Sequence, residues 1–431
     1  MMPMDKNGSV SSPVRYGIMV LLAVVFLLAH HDLFRSTYPD FVPVSGASSA
    51  ARVDAIQQGR PLRRVAFLSM GALGVVCLGI RRHGSRLNYA GVLLLAYLGW
   101  MAVSLGWSDN PMLTIRRLIV MACFAVGAIG VSRVLSVRDL RNWAILCGAG
   151  FLCLGLIAEI VLGTFNPLSS GHRFAGTLHP NGQGLNCAVL VLALVSTARE
   201  RAVRFKGIFW ALTLLAFLAL LMTRSRTALG ACMVVLFFLL WPQVDHAKRK
   251  SLAVALYLTT AATLVALIAL AEVWAPFLED VVRLGRPDSV TRSLTGRIPL
   301  WGELWPYVRD RPLTGYGYGG FWYPSRVLDI DLWIGWATPN AHSIYVELLL
   351  GLGVIGLTLF VLLMTVVFVR TKRHEILGAE YRFSGSVILF AAVHGFAETT
   401  VLEPDVLLFL FLWVAADLGF PMCPTRRVPP G

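Results

Sequence analysis

Apolar runs of about twenty residues recur from one end of this chain to the other, and no water-soluble core could bury them all. At 1.5 Å of rise per helical residue, a run of that length crosses the hydrocarbon of a bilayer. About twelve can be counted, centred near residues 22, 72, 96, 126, 153, 191, 215, 234, 262, 355, 391 and 412. Of the 431 residues, 56% are hydrophobic and 14% charged, which excludes a string of soluble domains. The expected fold is all-α: a polytopic membrane protein with about twelve transmembrane helices. The first run, from Tyr16 to Ala29, follows Lys6 and Arg15 as a signal peptide would. Its nearest small-residue stretch, GASSA at 46–50, is too distant for cleavage, so an uncleaved span is expected.

Charge sets the orientation. Basic clusters fall in RRHGSR (81–86), RVLSVRDLR (133–141), RERAVRFK (199–206), DHAKRK (245–250) and RTKRHEILGAEYR (370–382). Clustered Lys and Arg beside spans mark the cytoplasmic side, which puts both termini inside and accounts for the net charge of +14 without nucleic acid as a partner. Every lysine (Lys6, Lys206, Lys248, Lys250, Lys372) falls on that side. Arginine also falls outside, at Arg116, Arg117, Arg173, Arg224, Arg226, Arg297, Arg309, Arg311 and Arg326 among others. A guanidinium fork grips phosphate or carboxylate bidentately, so its external use points to an anion, although an arginine-rich genome would give the same preference. The ionisable residues in or at the rims of spans (Glu159, Glu272, Glu347, His394, Glu398) fall in the outer half, and Asp417 alone lies toward the inner face. Charges in hydrocarbon cost about 2.5–3.5 kcal/mol each on insertion scales and tend to face a cavity or a partner, so chemistry is expected at the outer leaflet.

The seven cysteines have no metal-type spacing: six lie in apolar runs and Cys423 in the tail. They read as small core residues, and neither a metal nor a cofactor is expected.

The chain divides into a membrane region of nine spans (1–274), a long periplasmic loop (275–340), and three further spans with a cytoplasmic tail (341–431). The loop is too aromatic for disorder. Within it Thr295 is placed to cap a short amphipathic helix whose apolar face is Ile298, Trp301, Trp305 and Val308, bent at Pro306. Such a helix could lie in the headgroups, or its rings could stack on sugars. GYGYGGF (315–321) lacks the GK[ST] ending of a phosphate loop, and its glycines read as a tight turn or as amides turned toward an anion.

Three outer-face stretches each carry arginine: HRFAGTLHPNGQG (172–184), TRSRTALGA (223–231) and TGR (295–297). A span-end arginine is commonly an anchor, but Arg224 and Arg226 within one short turn invite an anion. NAHSIYVELLLGLGVIGL then places His342 directly before a span. The order SRTALGA, GR followed by Trp and RPLTGYGYGGF, then NAHSIYVELLLGLGVIGL, resembles the O-antigen ligase and Wzy-type polysaccharide polymerase family. HRFAGTLHPN is similar to a segment of its exopolysaccharide polymerase members. The resemblance implies a GT-C-like membrane fold. It also implies metal-independent glycosyl transfer from an undecaprenyl-pyrophosphate-linked glycan to a saccharide acceptor, lipid-anchored or a growing chain, at the periplasmic face of the bacterial inner membrane. Carried over by position, His342 is the catalytic residue and Arg226 and Arg297 hold the pyrophosphate, with Arg224, Arg173 and Asn181 as further substrate-binding residues. Many members place the histidine directly before an asparagine, whereas this chain has Asn340-Ala341-His342. Arg116 and Arg117 lie outside every motif and are expected to be silent.

A free imidazole, with a pKa near 6.5, suits removal of a proton from an acceptor hydroxyl, while fixed arginines hold the charge of a departing pyrophosphate. The rival class is a transporter or flippase of lipid-linked saccharides, which would also use outer-face arginines. Against it, no pair of Gly/Pro-interrupted spans points to inverted repeats.

Overall fold

A computed structural model describes residues 10–30, 61–80, 86–200, 205–240, 292–334 and 338–421, apart from positions 168, 170 and 379. The expected span near residue 262 and the whole of the basic 245–250 stretch therefore lie outside the described residues. The helices are α1 (Ser12–His30), α2 (Pro61–Ile80), α3 (Tyr89–Val103), α4 (Pro111–Ser132), α5 (Val137–Val161), α6 (Pro180–Ala198), α7 (Lys206–Met222) and α8 (Arg226–Leu240). They continue with α9 (Arg292–Asp310), α10 (Pro324–Ile334), α11 (Ile344–Leu377), α12 (Tyr381–His394) and α13 (Val406–Gly419). Among the described residues, seven helices are long and apolar enough to cross a membrane, and α7, α8 and α13 are shorter apolar helices. The protein is thus a helical, polytopic membrane protein among its described residues.

Two helices form the centre. From Gln183 to Ala198 every residue of α6 is buried, and in α13 every residue but Asp417. A helix apolar on all sides is stable only when surrounded by other helices, and α5, α7, α8 and α12 pack around α6 while α3, α4 and α12 pack around α13. The outer helices α2, α3 and α7 instead expose Leu68, Val75, Leu95, Leu214 and Leu215, as lipid-facing surfaces do. Cys153 is exposed too, whereas Cys77, Cys147, Cys187 and Cys232 are buried as expected. Helices α2 and α4 touch backbone to backbone, since a Cβ on Gly130 would lie 2.0 Å from the Gly74 carbonyl oxygen.

The site end of the bundle is organised by a break in α11. Gly353 adopts φ 66°, ψ −168°, a conformation open essentially to glycine alone, and its Cβ would meet the Leu313 carbonyl at 2.2 Å. The RPLTGYGYGG turn packs into the break. Leu350 O accepts from Tyr316 N (2.8 Å), Leu352 O from Trp100 Nε1 (3.1 Å), and Val354 N donates to Pro312 O (2.8 Å), so the polar groups released by the break are paired. The glycine-rich stretch is therefore a tight turn packed against protein: Tyr318 N donates to Ser104 Oγ (2.9 Å), and the Arg117 side chain runs where a Cβ of Gly319 would stand.

The loop helix α9 differs from its expected form. It starts at Arg292, so Thr295 lies inside it rather than capping it. Leu300, Leu304 and Val308 are buried, with Trp301 and Tyr307 packed beside them, while Ile298 and Trp305 are 53% and 47% exposed. The buried stripe is rotated from the predicted one because the aromatic cluster of Tyr316, Phe321 and Trp322 offers a protein surface for the leucines.

Candidate active site

Four separate segments meet at one carboxylate. Glu398 lies in the connection between α12 and α13, with its side chain 12% exposed. Its Oε1 accepts from Arg297 Nη2 of α9 (2.9 Å) and from Asn181 Nδ2 at the start of α6 (3.0 Å). Its Oε2 lies 3.7 Å from His342 Nδ1, at the entrance to α11. Asn181 is oriented in turn by Arg173, whose Nη2 donates to Asn181 Oδ1 (3.0 Å) and whose Nε donates to Thr223 O (3.3 Å). A donor on one side and an acceptor on the other fix which end of the amide faces which partner.

The electrostatics follow from that geometry. Burial alone would raise the Glu398 pKa, but His342, the Arg297 charge and His394 outweigh it and hold the carboxyl well below its usual range, at about 2. Glu398 also faces the positive end of α6, whose N-cap is His179. One carboxylate stands among Arg297, Arg173 and a helix N-terminus, leaving an excess of positive charge around His342.

The chain holds His342 tightly. It sits at φ 48°, in the left-handed region uncommon for a residue with a side chain. Its N–H donates to Asn340 Oδ1 (3.0 Å), while Asn340 Nδ2 donates to Glu403 Oε1 (3.0 Å). Asn340 thus braces the backbone of the histidine turn. Ser343 rather than His342 is the N-cap of α11.

Of the residues singled out from sequence, His342, Arg297, Asn181 and Arg173 come together. Arg224 adopts φ 49° and donates from Nη2 to Ser169 O (3.2 Å), toward the 164–171 connection. Arg226 opens α8, half-buried, one residue beyond Ser225, against which Gly184 of α6 packs. Arg311 and Arg326 are occupied structurally. Both pair with Asp109 (2.8 and 3.0 Å), and Arg326 is caged by Tyr307, Tyr316, Phe321 and Tyr323 at 4.5–5.3 Å.

Sequence reasoning noted Glu398 and Glu347 only as ionisable residues at span rims and gave neither a partner. That anomalous placement was the available signal. Arg117 was set aside as silent, yet it lines a small cavity of about 20 Å³ with Glu347, Tyr318, Gly319 and Leu402. Arg116 is exposed and keeps its expected role as a control. Glu159 is explained by folding, since its Oε1 accepts from Ala175 N (2.9 Å) and Gly176 N (2.8 Å) and so anchors the segment carrying Arg173.

No curated protein matches the sequence. A family model described as O-antigen ligase matches residues 211–361, which includes Arg224, Arg226, Arg297 and His342 and stops short of Glu398. Over that segment, about a third of its length, the chain is similar to O-antigen ligases.

Proposed function

We propose that this protein transfers a glycan from an undecaprenyl-pyrophosphate-linked donor to a saccharide acceptor at the periplasmic face of the bacterial inner membrane, as a ligase or a polymerase. The observation that carries the reading is the placing of His342 beside Glu398, with Arg297 on the same carboxylate and Arg173 behind Asn181. A carboxylate near Nδ1 favours the tautomer with its proton there, which puts the lone pair on Nε2. In the reaction, His342 takes the proton of the acceptor hydroxyl as its oxygen bonds to the anomeric carbon. The bond from that carbon to the pyrophosphate oxygen breaks, and its electron pair leaves with the lipid pyrophosphate. That charge is held by arginine: one Nη2 donor of Arg297 goes to Glu398, and a guanidinium has five. Arg226 is proposed as the second pyrophosphate ligand and Arg224 as a peripheral one. Arg173 and Asn181 hold the carboxylate in place and add positive potential. The chemistry calls for no metal, in keeping with outer-face loops that carry no clustered ligand set.

The test is transfer from a lipid-linked donor in reconstituted membranes, with each variant's expression checked. His342→Ala should slow turnover by roughly 100-fold or more with donor binding nearly intact. Arg297→Lys should fail almost as badly as Arg297→Ala, because an ammonium keeps the charge and loses the fork. Wild-type turnover in His342→Ala, or full rescue by lysine at 297, would sink the reading.

A further inference from the structure

The His342 turn is held from below by a second carboxylate. Glu347 is buried, and both its oxygens lie within hydrogen-bond reach of Trp322 Nε1 (2.8 and 3.0 Å). Its Oε2 also accepts from Ala341 N (2.9 Å), while the Ala341 carbonyl accepts from Trp301 Nε1 (2.9 Å). The two peptide units flanking Ala341, the second of which leads into His342, are thereby fixed. An acidic residue in a helix's first turn ordinarily serves its own helix by capping or by the dipole. Glu347 instead reaches back beyond the N-cap Ser343 to an amide outside the helix, next to the residue with the left-handed backbone.

The chemistry of the contacts selects a carboxylate. Every hydrogen-bond partner around Glu347 is a donor: the indole N–H reaches both oxygens and the Ala341 N–H one of them. A carboxylate can accept at all these positions, whereas an amide of the same shape would turn its NH2 toward a donor. The Arg117 guanidinium lines the same small cavity and adds positive potential beside the buried charge. A cavity of about 20 Å³ has room for a single water.

We propose that Glu347 is a positioning residue: held by Trp322 with Arg117 nearby, it fixes the Ala341 amide and so the strained turn that aims the His342 imidazole at Glu398. This rests on the reading above, in which His342 removes the acceptor's proton. A base displaced by about 1 Å loses on the order of 100-fold in rate while substrate contacts elsewhere persist.

The experiment is a double-mutant cycle on the full-length protein in reconstituted membranes, measuring kcat and the donor KM for Glu347→Gln, His342→Ala and the pair. Glu347→Gln should lower kcat by roughly 10- to 100-fold with donor KM within about twofold. The pair should be no slower than His342→Ala alone, because a residue that acts only through the imidazole has nothing left to act on. Should Glu347→Gln not accumulate in the membrane, Trp322→Phe carries the same cycle, since it removes the indole N–H from the carboxylate and keeps a ring in the core. Exposed Glu303, replaced by Gln, should stay at wild-type rate. Losses that multiply in the pair, or wild-type kcat in Glu347→Gln, would overturn this proposal while leaving a damaging His342→Ala, and with it the proposed function, in place. A silent His342→Ala beside a damaging Glu347→Gln would overturn both.

Discussion

Glu398 shows how one side chain acquires a role that its neighbours in sequence cannot supply. Its partners Arg297 and Asn181 are 101 and 217 residues away along the chain. The held-down pKa has a definite sign in stability. A carboxyl whose folded value is depressed contributes its full stabilisation above the unfolded value near 4.3, and loses it as pH falls toward about 2. The gap in thermal inactivation temperature between wild type and Glu398→Gln should therefore stay constant above about pH 5.5 and narrow on acidification. A gap that instead closes between pH 6 and 8 would mean that another group carries the linkage. Sequence alone marked Glu398 as a charge at a membrane rim, but pairing it required knowing which helix ends converge. His342 and Arg297 were legible because their local motifs are contiguous, while Glu347 and Arg117 do their work through a fold-dependent cavity.

At the scale of the element, α11 reads in sequence as one long apolar run and folds as two helical segments joined at Gly353. Glycines at 351, 353 and 356 look alike in a span, and only the turn at 311–316 distinguishes one of them. The same limit affected α9, where helical periodicity identified a helix and tertiary contact chose which stripe to bury. Gly353→Ala forces a Cβ into the Leu313 carbonyl and a side chain into a glycine-only conformation, so it should destabilise the protein by about 3 kcal/mol or more. Trp100→Phe removes only the indole donor to Leu352 O and should cost about 1–2 kcal/mol. Thermal unfolding in detergent separates the two, and an unaffected Gly353→Ala would show that the break does not depend on glycine.

For the whole molecule, the described helices alternate between two ends. The site end gathers the starts of α4, α6, α8, α11 and α13, with the finishes of α3, α5, α7 and α12. The far end carries ion pairs such as Arg15 with Asp139 (3.3 Å), Arg141 with Glu200, and Glu375 with Lys372 (2.8 Å) and Arg382 (3.2 Å). Both ends are rich in arginine, so a count of basic residues in the folded protein does not orient it. At the site end Arg297, Arg173, Arg311 and Arg326 are engaged by Glu398, Asn181, Asp109 and aromatic rings, so they act in folding and in the site rather than as topology signals. The described lysines, Lys206 and Lys372, both lie at the far end. By the positive-inside rule we propose that the far end is cytoplasmic and the site end external. Leu332, 84% exposed on α10, and Arg373, exposed near the end of α11, report the two sides. With the native cysteines replaced, Leu332→Cys should react with a membrane-impermeant maleimide in intact spheroplasts, and Arg373→Cys only after permeabilisation. The reverse pattern would put the site in the cytoplasm and overturn the proposed transfer at the external face, and labelling of both in intact cells would break the alternation of the helices.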